Sequence, residues 1–231
     1  MDITSKFCVC SNCEFREIVF QYLDQDKIIE LCNNKEEFSF RKGEIINLEG
    51  DSITHFKYLK SGLVKLYKKT PEGDEQVIII TRPFEFVSNM SIFSEEKYKY
   101  SVSALEDSVV CVVKLDFIKG LFLGNGLFAM GLLSKISKIN DKIINQALDI
   151  RRKNLIGRVA YIVLYFAKEI YGSTVFELPV SRKEIADYIS MSTANVIRTI
   201  SDFKKDGIIR VDGKTIEIVD LEKLEIMSKR G

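Results

Sequence analysis

The chain has 231 residues but no tryptophan, only three prolines and a single histidine, His55. One imidazole leaves little for acid–base or nucleophilic chemistry to work with. No paired-carboxylate, phosphate-loop or nucleophile motif takes its place, so an enzyme is not expected. No apolar run approaches the ~20 residues that a membrane-spanning helix needs; Val77–Thr81 (VIIIT) and Val109–Val113 (VVCVV) are strand-sized. No basic start followed by an apolar core opens the chain, so neither a signal peptide nor a membrane partner is expected. The five cysteines, an odd number, suggest no disulfide framework and point to a reducing cytoplasm. A net charge of +1 excludes little, because it can conceal a local basic patch. What remains is 46% hydrophobic and 29% charged, ordinary for a folded soluble chain of one large or two modest domains.

Residues 14–37 read as one or two short helices, with Phe20, Leu23, Ile28 and Leu31 on an apolar face. From Phe38 short β-rich runs alternate with Gly43, Gly50, Gly62 and Gly73, the pattern of an antiparallel sandwich or barrel. In SGLVKLYKK the alternation is only partial, as for a strand with one face weakly buried. A long helix is expected from a cap at Asn125. Phe128, Leu132, Ile136, Ile139, Ile143 and Ile150 then recur close to a heptad seam, with Gln146 the one polar seam position. Such a helix can pack on its own domain or pair with a second copy. The seam is long for a small β domain, so a homodimer interface is expected at Phe128, Leu132, Ile136, Ile139 and Ile143.

Beyond Arg151 the composition changes. Residues 151–210 carry eleven Lys/Arg against six Asp/Glu, an excess suited to phosphate neutralisation. An apolar helix, Leu155–Ala167, and a short strand, FELPV, lead to VSRKEIADYISMSTANVIRTISDFKKDGIIRVDGKTIEIVD. Ser181 and Glu184 form a capping box over a helix with Ile185, Ala186 and Ile189 inward. Ser190–Ser192 is a turn, and Ser192 caps a second helix whose apolar positions are Val196, Ile197, Ile200 and Phe203. Gly207 ends that helix, and Asp212-Gly213 suits the tight turn of a hairpin. Two short helices, a turn and a β-wing make a winged helix-turn-helix. Thr193, Ala194, Asn195 and Arg198 are expected at base edges, with Arg198 forking to guanine. Ser181, Arg182, Ser192 and Lys204 are phosphate candidates.

In its order of parts the chain resembles the superfamily of bacterial transcription regulators that includes the cyclic AMP receptor protein and the anaerobic regulator FNR. RKGEIINLEGD, YLKSGLVKLYKKTPEGDEQ, YSVSALEDSVVCVV and the helix-turn-helix carry the resemblance, nearer the FNR-like members. It implies an α+β fold with three parts. An N-terminal arm and antiparallel β-roll of the jelly-roll type form a cyclic-nucleotide-binding-like sensor domain over residues 1–123. A dimerisation helix follows over 124–150, and a winged helix-turn-helix over 151–231. It also implies a homodimer on a near-palindromic duplex DNA site, with RNA polymerase met through the loop Thr70–Gln76. A ligand-binding module that acts through protein contacts without DNA is the rival reading.

Cyclic-nucleotide binders of that superfamily open their phosphate cassette with Gly-Glu and close it with Arg-Ser or Arg-Thr. Here the corresponding pairs are read as Phe84-Glu85 and Tyr100-Ser101, which leaves Glu85, Tyr100 and Ser101 as an effector pocket without its phosphate-binding arginine. Lys97 or Lys99 could stand in for it. Cyclic AMP is not expected, because Tyr100 cannot neutralise a buried phosphate. On the recognition helix Ala194 stands where many relatives carry Glu, so a different half-site is expected. FNR-like members hold an iron–sulfur cluster on N-terminal cysteines and one distant cysteine. Cys8, Cys10 and Cys13 with Cys111 are the matching thiols, although C-x-C-x2-C is tighter than the family spacing, and Cys32 is a spare. A cluster, zinc, direct thiol oxidation and no metal at all stay open.

Overall fold

A computed structural model describes the backbone of residues 2–5 and all of residues 21–88 and 91–229. The chain divides into two units, Met1–Lys68 with Ile78–Lys142 and Lys69–Val77 with Ile143–Gly231.

The β-rich part runs β1 (Asp2–Ser5), α1 (Gln25–Asn33), β2 (Lys35–Phe40), β3 (Ile45–Asn47), β4 (His55–Ser61), β5 (Val64–Lys69), β6 (Glu75–Thr81), β7 (Ser101–Ala104) and β8 (Ser108–Lys114). Two four-stranded sheets result, in the orders β1-β2-β8-β4 and β3-β7-β5-β6. Their registered pairs are antiparallel. Most neighbours in the sheets are far apart in the chain, whereas β5 and β6 are joined by five residues. Gly62, between β4 and β5, has φ +89°, and a Cβ there would lie 2.5 Å from the Asp107 carbonyl oxygen and 2.6 Å from the Ser108 Cα. Only glycine fits so close a backbone approach. The Ser108 hydroxyl fastens the same corner, accepting from Leu63 N at 3.2 Å and donating to the Glu106 carbonyl at 2.7 Å. β5 departs from expectation: Val64, Lys65, Leu66 and Tyr67 are all buried. Both faces of this strand are covered, and Lys65 hides its stem while its ammonium lies 5.2 Å from the Tyr67 ring centre.

Two helices follow, α2 (Leu115–Gly124) and the 27-residue α3 (Gly126–Arg152). The first was not expected; its apolar run LDFIKGLFLG, broken by glycine, has no clear helical period. Asn125 separates them and caps α3 as expected, its Oδ1 accepting from Phe128 N at 3.0 Å. The expected dimer seam is corrected. Phe128 and Leu132 are fully buried within the single chain and Ile139 is 8% exposed, so these three face their own protein. The Phe128 ring sits 5.6 Å from Phe122 of α2. Ile136 and Ile143 are half-buried at the margin of that face. The open apolar stripe lies beside it: Leu127, Met130, Leu133, Ile144 and Leu148 are 41–69% exposed. At 100° per residue α3 therefore carries two adjacent apolar stripes, and only one finds its cover within the chain.

The second unit contains α4 (Leu155–Tyr165), which runs on into a π-helical turn over Phe166–Tyr171, then β9 (Val175–Glu177), α5 (Arg182–Tyr188), α6 (Thr193–Lys205), β10 (Ile209–Asp212), β11 (Thr215–Ile218) and α7 (Leu221–Lys229). The strands form an antiparallel sheet in the order β10-β11-β9. Val159, Phe166, Ile185, Ile189, Val196, Phe203, Ile208, Ile216 and Leu224 make its core. α7, also not expected, packs on α4 and is held by Lys153, which donates to the Ser228 carbonyl at 2.6 Å. Among the described residues no helix is long and apolar enough to cross a membrane.

Candidate nucleic-acid interface

α5 starts at the capping box read from the sequence. Ser181 Oγ accepts from Glu184 N at 3.1 Å, and Glu184 Oε2 accepts from Ser181 N at 2.7 Å. The helix stops at Ser190, which has φ +53°, a left-handed conformation uncommon for a residue other than glycine. Arg158 of α4 stabilises this turn by donating to the carbonyls of Ile189 at 3.3 Å and Ser190 at 3.0 Å. Two carbonyls at the end of α5 thus receive a charged donor, which also suits the negative end of the helix. Nothing local marked Arg158, which lies 32 residues from Ser190 in sequence. It positions the turn, and through the turn the next helix.

Ser192 caps α6, accepting from Asn195 N at 3.3 Å. Val196, Thr199, Ile200 and Phe203 are buried against the domain. Ala194 and Arg198 are exposed, with Thr193 and Asn195 half-buried at the same end. Ile197 corrects the expectation of a core residue, being 53% exposed. It shares the outward face with Ala194 and Arg198, three and one positions away along the helix. Val196 took the inward position, so Ile197 had to turn out. This functional candidate was missed because an isoleucine in an apolar-rich helix reads as core. An exposed alanine, isoleucine and arginine together offer two groups for thymine methyls and one fork for guanine.

The phosphate candidates are placed less uniformly. Ser181 and Ser192 spend an acceptor lone pair on their caps but keep a hydroxyl proton to donate. Lys204 is exposed and its Nζ lies 3.4 Å from the Val211 carbonyl, which draws it towards the wing. Arg182 is half-buried, and desolvation lowers its pKa. In the wing, Gly213 has φ +57°, as the tight turn requires, and Arg210 pairs with Glu217 at 3.0 Å.

The residues read as an effector pocket are not joined by any hydrogen bond, and each is engaged elsewhere. Glu85, nearly buried, accepts from Arg82 Nε and from Lys142 Nζ, both at 3.3 Å. Ser101 Oγ accepts from Glu49 N at 3.0 Å, and the Tyr100 ring centre lies 5.9 Å from Lys68 Nζ. Lys97 and Lys99 are exposed, and Lys99 pairs with Glu95.

Cys8, Cys10 and Cys13 lie outside the described residues. Cys111 is fully buried in β8, its thiol 3.7 Å from Glu37 Oε1, and Glu37 is itself paired to Lys35 at 3.0 Å and Lys60 at 2.9 Å. Cys32 is half-buried on α1. Among the described residues no group of three or more His, Cys, Asp or Glu is arranged to hold a metal ion. These residues do not by themselves fit an iron–sulfur cluster, since they bring one buried thiol to it, beside a carboxylate.

A capped recognition helix, a fixed turn and a β-wing define a DNA-binding protein of the winged-helix class, here attached to a β-roll. Residues 37–125 match the Cyclic nucleotide-binding domain family, and residues 157–227 match the Crp-like helix-turn-helix domain family. The chain is 27% identical over 232 residues to the nitrogen fixation regulation protein FixK of Bradyrhizobium diazoefficiens, covering 95% of this chain and 93% of that protein. It is 24% identical over 221 residues to the anaerobic regulatory protein of Haemophilus influenzae, covering 93% and 86%. The solved structure of FixK2 from Bradyrhizobium japonicum has the same fold, with a TM-score of 0.75 at 23% identity over 85% of this chain and 98% of that one. This chain belongs to the CRP/FNR superfamily, nearer its FNR-like regulators than its cyclic AMP-binding members, and is a DNA-binding transcription regulator. Members of the superfamily are regulators, not enzymes, and bind DNA as dimers.

Proposed function

We propose that the protein regulates transcription in the cytoplasm as a homodimer on a near-palindromic DNA site, with residues 1–123 as sensor, 124–150 as dimerisation helix and 151–231 as DNA reader. The observation that carries the reading is the outward face of α6, where Ala194, Ile197 and Arg198 stand free beside a capped helix N-terminus. Caps at both short helices and the Arg158 clamp hold that face rigid, as groove readout needs. The open stripe Leu127, Met130, Leu133, Ile144 and Leu148 supports pairing of two α3 helices, with Ile136 and Ile143 at its edge. A signal that binds the two states of the dimer unequally would shift this pairing and with it the spacing of the two recognition helices. The loop Thr70–Gln76 is the proposed contact with RNA polymerase. Retention of the intact protein on duplex DNA, measured against salt, tests the core of the reading. Retention falling steeply as salt rises is expected, and absence of retention even at low salt would refute it.

A thiol-based signal is a second reading, favoured by register. Ser5 pairs with Glu37, and Glu37 with Cys111 across the next strand, so Ser5, three positions before Cys8 in sequence, lies two strands from Cys111. The names of the anaerobic regulatory relatives point the same way. Anaerobic purification with iron and sulfide analysis decides it. Stoichiometric iron and sulfide would establish a cluster, and a colourless protein that still binds its site would exclude one.

A further inference from the structure

The turn between β5 and β6 leaves the sheet unit and joins the other one: residues 69–77 form one compact unit with residues 143–231. The turn closes on itself. Thr70 N donates to the Asp74 carbonyl at 2.8 Å, Gly73 N donates to the Thr70 carbonyl at 2.9 Å, and Gly73 takes φ +90°. With the backbone settled, the Asp74 side chain is spent on α5, where its Oδ1 accepts from Lys183 Nζ at 2.6 Å. Lys183 is the second residue of α5, next to Arg182 and the capping Ser181. The Asp74 carboxylate, with Asp187 and Glu75 adding their fields, raises the Lys183 pKa above its ordinary value.

Neither partner needs the other for its own fold. The turn is held by its backbone, and the Lys183 and Asp74 side chains are 59% and 60% exposed, so their pair adds little to stability. Nor does helix stability account for Arg182 and Lys183, because cations in a first turn oppose the partial positive charge of a helix start. What the position does offer is the DNA backbone. In a helix-turn-helix the first helix crosses the phosphates while the second enters the groove. The turn is itself acidic, with Glu72, Asp74 and Glu75 against Lys69, and so carries the charge of a short phosphate run. We propose that Lys183 is a further phosphate contact of the DNA reader, and that the β5–β6 turn occupies it through Asp74 as a brake that DNA must displace. An ammonium held by both would press a carboxylate against a phosphate, two like charges. The inference rests on the reading of the chain as a DNA-binding regulator and adds how its free form is held back.

Anisotropy titration of the intact protein against a fluorescent duplex of random sequence, at several salt concentrations, tests this. Lys183→Gln should weaken binding and lower the salt slope by about one. Lys183→Arg keeps the charge and should keep the slope. Asp74→Asn should tighten binding about two- to fivefold at low salt, the range that an exposed ion pair sets. That tightening should vanish in the Asp74→Asn/Lys183→Gln double variant. Glu72→Gln, exposed on the same turn, measures the general field of the tip and should act equally with and without Lys183. No tightening by Asp74→Asn, equal tightening in the Lys183→Gln background, or a salt slope that Lys183→Gln leaves unchanged or Lys183→Arg also lowers would overturn the proposal. DNA binding by the parent without this coupling removes the brake and keeps the regulator reading; a parent that binds no DNA at any salt loses both.

Discussion

Leu132 and Leu133 are neighbours with opposite fates, and truncating each to alanine should separate folding from association. Leu132 is fully buried within the chain, whereas Leu133 is 56% exposed on the open stripe. Leu132→Ala removes buried methyl groups from a packed interior and should cost roughly 2–5 kcal/mol of folding stability, the spread reflecting how far the site can collapse. Its effect on the dimer should be secondary. Leu133→Ala removes little from the single chain. A fully buried leucine contributes about 1.5–3 kcal/mol, and roughly half of that side chain is still free to be covered, so each protomer should lose about 1 kcal/mol. Two-fold symmetry doubles this to about 2 kcal/mol, or roughly thirtyfold in the dimer dissociation constant. Sedimentation equilibrium measures the second effect, and denaturant unfolding at several protein concentrations separates it from the first, because only association makes the midpoint depend on concentration. If Leu132→Ala dissociated the dimer while leaving chain stability intact, or Leu133→Ala left the dissociation constant unchanged, the assignment of the two stripes would be wrong.

Three further outcomes are expected. Arg198→Ala should weaken binding to the specific site by about 1–3 kcal/mol and non-specific binding much less, while Ile197→Ser should lower specificity without altering the salt slope; gel-shift titrations at two salt concentrations test both, and equal losses on specific and random DNA would reduce Arg198 to a phosphate contact. Ser190→Gly should raise thermal stability by about 0.5–1 kcal/mol, because the left-handed φ costs a serine roughly 1–2 kcal/mol and part of the gain is lost to the greater freedom of unfolded glycine; a lower midpoint would show that the serine side chain contributes at the turn. Lys57 has its pKa pushed down to about 8, chiefly by burial. Its folded pKa lies below the unfolded one, so the folded state binds fewer protons, and stability should rise with pH by on the order of 2 kcal/mol between pH 8 and 10. Buried Tyr98, pushed up to about 12, opposes this above pH 10. Denaturant midpoints across that window should rise in the parent protein and stay flat in Lys57→Met; a parallel rise in both would remove Lys57 as the cause.

Local chemistry was legible wherever a short segment settles its own backbone. The capping box Ser181–Glu184, the Ser192 cap, Gly207 at the end of α6 and Asp212-Gly213 in the wing are choices of a few adjacent residues, and each stands where its chemistry placed it. α2 escaped because LDFIKGLFLG is apolar almost throughout, and such a run carries no period by which helix and strand differ. β5 reads as half-exposed because its lysines look solvent-facing, yet Lys65 is buried. The Arg158 clamp and the Lys142–Glu85 ion pair join residues 32 and 57 positions apart, and no local pattern announces them.

By itself, then, the order of residues determined the architecture: a glycine-punctuated β-roll, a long helix, and a basic winged helix-turn-helix. Each follows from backbone preference and periodicity, which act over a few residues. Only the tertiary structure decided which of two apolar stripes on α3 is spent inside the chain, why Ile197 faces outward, and which cations share Glu85. Periodicity states that a face is apolar. Which face is covered depends on what packs against it, and that is settled by surfaces brought together from distant parts of the chain.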